Sequence, residues 1–154
     1  MKCTWIAVAA LISTLGVGVA SAQTASTGSG QMPQPLEIPA ACKSADQTQM
    51  SGMSGGNMQG MMSGMSGMDD AHQGYMQAMM RMNPAMMQGM MAKDPDLAFA
   101  CSMVAHHKGA IEMARVEIKA GDNAELKRMA EKSIKEQEEE ISQLTKWIEK
   151  HAKK

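Results

Sequence analysis

FACSMVAHHKGAIEMA, residues Phe99 to Ala114, sets the fold class of this chain. Asp94-Pro95, just upstream, pairs a capping residue with proline at a first helical position. The spacing predicts a helix from there to about Ala120, with Gly121 just past its end. Phe99, Met103, His106, Ala110 and Met113 recur at steps of three and four and are expected to form its inward face. Cys101 points roughly the opposite way. Two adjacent imidazoles, His106 and His107, thus sit between two thioethers, Met103 and Met113. Such donors suit a soft or borderline ion, Cu(I) above all. One histidine on an apolar face is usually structural, but burying two without hydrogen bonds or a metal costs free energy.

Downstream, Asp122 is expected to cap a last helix, with Glu125 as its capping-box partner. Leu126, Met129, Ala130, Ser133, Ile134, Gln137, Ile141, Leu144 and Ile148 make its apolar face. Gln137 is the polar residue on that face, placed to orient an imidazole without touching the metal. Glu138, Glu139 and Glu140 read as a solvated acidic face, with Glu140 at the border of the seam. The short connection makes the two helices an antiparallel hairpin.

Upstream, Asp69 to Met82 reads as a helix capped by Asp69 or Asp70. Asn83-Pro84 is expected to break it and open a further piece, Pro84 to Ala92. Met76, Met79 and Met80 on the first piece, and Met86, Met87 and Met90 on the second, form sulfur stripes. Methionine at helical spacing is more often packing than ligand; here both roles are expected, and all six are candidate ligands. The result is a small all-α bundle of three or four helices over residues 69–154.

Residues 23–68 are expected to be a disordered leader and a flexible Met/Gly/Ser-rich arm. Pro33, Pro35 and Pro39 oppose helix in the leader. Ser44 to Met68 repeats Met, Gly and Ser, with methionines in MxxM pairs, and the span Met50 to Met91 holds 15 of the chain's 20 methionines. Residues 1–22 have the charge, apolar run and Ala20-Ser21-Ala22 site of a secretory signal peptide cleaved after Ala22. That implies a periplasmic chain with no membrane anchor once the signal is removed. Export also permits a Cys42–Cys101 disulfide, tying the N-terminal strap to the outer side of the central helix; two unpaired thiols are the alternative.

A net charge of −1 argues against nucleic acid as a partner. No oxygen cluster suits Ca²⁺ or Mg²⁺, no Cys/His spacing suits structural zinc, and no ExxH motif suits a di-iron bundle. Thioethers need no deprotonation and cannot be lost to disulfides, so they remain soft ligands in an oxidising space.

Asp96-x-x-Phe99, Met103, His106-His107, Ala110-Ile111, Met113-Ala114, Gln137, Glu140-Ile141 and Trp147 resemble the family numbered 305 among domains of unknown function, over roughly Tyr75 to Ile148. The resemblance implies a bundle similar to ferritin-like four-helix bundles. Its secreted, Met-armed, CopM-like members imply Cu(I) and Ag(I) binding and copper resistance, with Met103, His106, His107 and Met113 in the matching motif. The family often has Met after the Glu-Ile pair, where this chain has Leu144; sulfur from the Met86 to Met91 piece is expected to substitute. The expected function is therefore a non-enzymatic holder of Cu(I) and Ag(I), buffering the ion or passing it to a copper exporter or another periplasmic copper protein. A copper-dependent oxidase and a metal-free Met-rich interaction module are the alternatives.

Overall fold

The computed structural model describes residues 33–43, 64–65 and 67–152. The expected signal peptide and most of the expected Met-rich arm lie outside these. The described residues form a small all-helical bundle of three long helices: α1, Asp70–Met90; α2, Pro95–Ala120; and α3, Ala124–His151. Each begins where a side chain satisfies an amide that the first turn leaves without a partner. Asp69 accepts from His72, Asp94 from Leu97, and Asn123 from both Glu125 and Leu126. The cap of α3 is thus Asn123 and not Asp122. Gly121 ends α2 with φ −68° and ψ 156°, an extended rather than left-handed exit, so the turn runs one residue further before α3 starts.

Asn83-Pro84 does not break the chain: Pro84 lies inside one continuous α1. Proline in a helix interior forfeits a hydrogen bond and costs about 3 kcal/mol. Packing on both sides of it offsets that cost, because Ala78, Ala85 and Gly89 are all buried. Gly89 sets how near α1 comes to α2. A Cβ there would stand 2.6 Å from the Ser102 amide nitrogen and 2.7 Å from the Cys101 carbonyl carbon. Gly109 plays the reciprocal part on α2, where the Met82 side chain occupies the space a Cβ would need.

The core gathers Ala85, Ala100, Cys101, Val104, Ala105 and Ile148 with Leu36, Ile38 and Cys42 from the strap. Residues 33–43 are therefore not a disordered leader, although their backbone is irregular apart from a 3₁₀ turn at Ala40–Cys42. Polar ties hold the strap in place. The Arg81 guanidinium pairs with Glu112 at 2.6 Å and donates to the Gln34 carbonyl at 3.1 Å. The Leu36 amide donates to the Arg81 carbonyl, and Lys108 Nζ donates to the Glu37 carbonyl at 2.6 Å. Cys42 and Cys101 form a disulfide across 59 positions of sequence.

α1 and α3 both pack on α2 and barely touch each other. The buried arc of α2 carries Ala100, Cys101, Val104, Ala105, Gly109 and Ile111. The stripe expected to face inward is only partly covered: Phe99 is 63% exposed and His106 is exposed, whereas Met103, Ala110 and Met113 are half-buried. The reason is that α1, α3 and the strap, the elements among the described residues that pack on α2, leave Phe99 and His106 uncovered.

Two outcomes test this packing. Cys42→Ala/Cys101→Ala is expected to lower stability by about 2–4 kcal/mol in urea denaturation, since the bridge constrains a long loop in the unfolded chain. Gly89→Ala is expected to cost about 1–3 kcal/mol in the same measurement, because the new methyl meets backbone that cannot rotate away.

Candidate metal centre

The hairpin of α2 and α3 opens into a cleft of about 470 Å³ lined by Phe99, Met103, His107, Glu140, Gln143, Leu144 and Trp147. The α2 residues recur at steps of four and the α3 residues at steps of one, three and four, so each helix turns one ridge into the cleft. The helices run antiparallel from the Gly121 turn. Residues far from the turn, Phe99 and Trp147, therefore meet at one end, and His107 and Glu140 meet nearer the middle.

His107 is the polar centre. Its side chain is only 12% exposed, and its Nε2 lies 2.9 Å from Glu140 Oε2. The carboxylate thus stands at ion-pair distance on the Nε2 side of the ring, with Nδ1 on the other side. Burial pushes the His107 pKa below the ordinary 6.5; the Glu140 charge pulls it up and the neighbouring His106 pushes it down again, with burial the largest effect. The net shift favours the neutral ring, the form that can offer a lone pair. Glu140 is more than half exposed, and water screens its pull.

Of the residues named from sequence, the cleft unites Met103 and His107. His106 stands beside His107 with ring centroids 5.7 Å apart, edge to face, and is turned to solvent. Met113 is half-buried further along the helix and does not line the cleft. Met76, Met80 and Met86 are half-buried on α1, and Met79, Met87 and Met90 are exposed; none of the six lines it either. The reason is their position: α1 sits against the Ser102 and Gly109 flank of α2, whereas His107 faces α3. Met86 packs against the core. Gln137 donates from Nε2 to Ser133 Oγ at 2.6 Å, one turn back on its own helix. The partner of the imidazole is Glu140 instead, expected as a solvated charge at the border of the seam.

Glu140, Gln143 and Trp147 are the cleft residues that the helix-face reasoning left outside the site. The signal for them was the hairpin itself. With the turn at Gly121, the face of α3 opposite Phe99, Met103 and His107 is set by register. Among the described residues, no three His, Cys, Asp or Glu side chains gather as a metal cage. The groups beside His107 in the cleft that carry lone pairs are the Met103 thioether, the Glu140 carboxylate and the Gln143 amide. A second cleft of about 430 Å³ under the strap, lined by Ile38, Lys108, Thr145 and Ile148 among others, offers no soft donor.

The His107 environment has a measurable sign. Its folded pKa lies below the unfolded value, so the unfolded chain takes up the proton first as pH falls. Its contribution to stability is complete above pH 6.5 and declines as pH drops from there through the folded pKa. In an NMR titration of the metal-free chain, the His107 ring is expected to titrate below 6.5, and Glu140→Gln to move it lower still.

No helix among the described residues is long and apolar enough to cross a membrane. No curated protein matches the chain. A family model described as a domain of unknown function (DUF305) matches residues 9–148, nearly the whole sequence. The chain, with its His-His motif on a central helix and its cleft against the following one, belongs to the DUF305 family.

Proposed function

We propose that this protein is an extracytoplasmic binder of Cu(I), and of Ag(I) by the same chemistry, acting in buffering, delivery or resistance rather than as an enzyme. The observation that carries this reading is the meeting of Met103 and the largely buried His107 side chain in the lining of one cleft. Both donors keep their lone pairs without losing a proton, and together they match the softness of a monovalent d¹⁰ ion. His106, next to His107 and open to solvent, is a natural first contact for an arriving ion. Glu140 supplies a negative charge beside the donors and orients the His107 ring.

The other methionines fit a protein that handles more than one ion. Met79, Met87 and Met90 present thioethers on the surface of α1, and the Met-x-x-Met pairs between residues 50 and 68 add more. The leader sequence is the support for a periplasmic location, where copper is met outside the cytoplasm and cysteine ligands would be consumed by oxidation. A copper exporter or another periplasmic copper protein is the partner this chemistry implies.

The test is an anaerobic Cu(I) titration against a competing chelator. His106→Ala/His107→Ala is expected to weaken the tightest site at least tenfold, about 1.4 kcal/mol or more. Met103→Leu is expected to weaken the same site, and deletion of residues 44–68 to lower the stoichiometry while leaving that site intact. Unchanged affinity and stoichiometry in all three variants would overturn the assignment.

A further inference from the structure

Two donors leave a monovalent ion in the cleft with an open side, and the residue facing that opening is aromatic. Trp147 lines the cleft with Met103 and His107. It also borders the neighbouring cleft of Asp94, Asp96, Leu97 and His151. The ring is held from behind: the His151 imidazole stacks on it with centroids 4.3 Å apart and planes 17° from parallel. His151 is in turn anchored through Nδ1, which lies 2.7 Å from the Trp147 carbonyl. The next residue, Ile148, is fully buried and secures this turn of α3 in the core. Packing and stacking therefore keep one indole face from swinging away, and the cleft lies beside it.

We propose that Trp147 caps the ion held by Met103 and His107 with the face of its indole, and so acts as a specificity-determining residue for monovalent soft ions. This rests on the metal-binding function proposed above and adds the group that closes the site. An indole face carries negative potential and attracts a cation without supplying a lone pair, and tryptophan does so best among aromatic side chains. A weakly hydrated monovalent ion exchanges its remaining water for that face readily. A divalent ion such as Zn²⁺ holds its water more tightly and gains less from an indole face, so the ring favours the monovalent ion even though His107 and Glu140 offer nitrogen and oxygen. Leu144, one turn back on the same helix, and Phe99, across the cleft, add apolar surface beside the indole.

The chain contains two tryptophans, Trp5 and Trp147, so in the full chain carrying Trp5→Phe every indole signal comes from Trp147. In chloride-free buffer, one equivalent of Ag(I) is expected to quench that emission and shift the indole absorption edge to the red. Zn²⁺ is expected to do neither. Met103→Leu/His107→Ala is expected to abolish the response, which locates the quenching ion. Against a competing chelator, Trp147→Leu is expected to weaken the first Ag(I) site about ten- to thirtyfold, and Trp147→Phe by less, since a smaller ring keeps part of the attraction. Far-UV circular dichroism checks that each variant is folded; should Trp147→Leu unfold, Trp147→Phe and the absorption shift of the parent chain decide. If Ag(I) binds the first site tightly while the indole spectrum and the affinity of the Trp147 variants stay unchanged, the cap is wrong and the metal-binding function stands. If the parent chain binds neither Ag(I) nor Cu(I), both fall together.

Discussion

The central helix has four flanks, and the described residues cover three of them. α1 closes one at backbone distance through Gly89 and Gly109. The strap closes a second through Leu36, Ile38 and the Cys42–Cys101 bridge. α3 closes a third through Ile141, Leu144 and Ile148. Small residues on α2, Ala100, Ala105 and Gly109, make that crowding feasible, because an interior packed this closely leaves no room for a longer side chain. Everything else in the molecule follows from the flank left over.

The open flank explains why the soft donors sit at a rim and not in a core. A buried two-histidine site would have to leave water at a high cost, and its ion would be slow to enter or leave. At the rim, the His107 side chain is sheltered while His106 stays in solvent. Glu140 reaches in from the solvent side of α3, so its charge steadies the imidazole without being buried itself. An ion bound here would be shielded on the α3 side and approachable from the other, the arrangement a carrier needs.

The strap changes the meaning of the N-terminal region. Residues 33–43 look like solvated leader in composition, with Pro33, Pro35 and Pro39, Gln34, Glu37 and Lys43 set among apolar residues. Two of those apolar residues, Leu36 and Ile38, are nonetheless buried, and Arg81, Lys108 and the disulfide hold the backbone around them. A low average hydrophobicity says little when a few residues and one covalent link do the packing. The disulfide also attaches the strap two residues from Met103, on the side of α2 away from the cleft.

Much of this architecture can be read from residue order alone. An all-helical bundle, the cap at Asp94, Asp69 as one of two candidate caps, and the hairpin at Gly121 all follow from capping chemistry and a repeat of three and four. The continuity of α1 through Pro84 does not, since a local preference to break was outweighed by contacts with a helix that comes later in the chain. Nor does the side of α2 that faces water. Periodicity tells which residues share a face, but what covers that face depends on where the other helices and the strap dock. For the same reason Gln137 and Glu140 could not be told apart as partners of His107 until the register of α3 against α2 was known, because a one-turn difference along a helix is invisible to its own repeat.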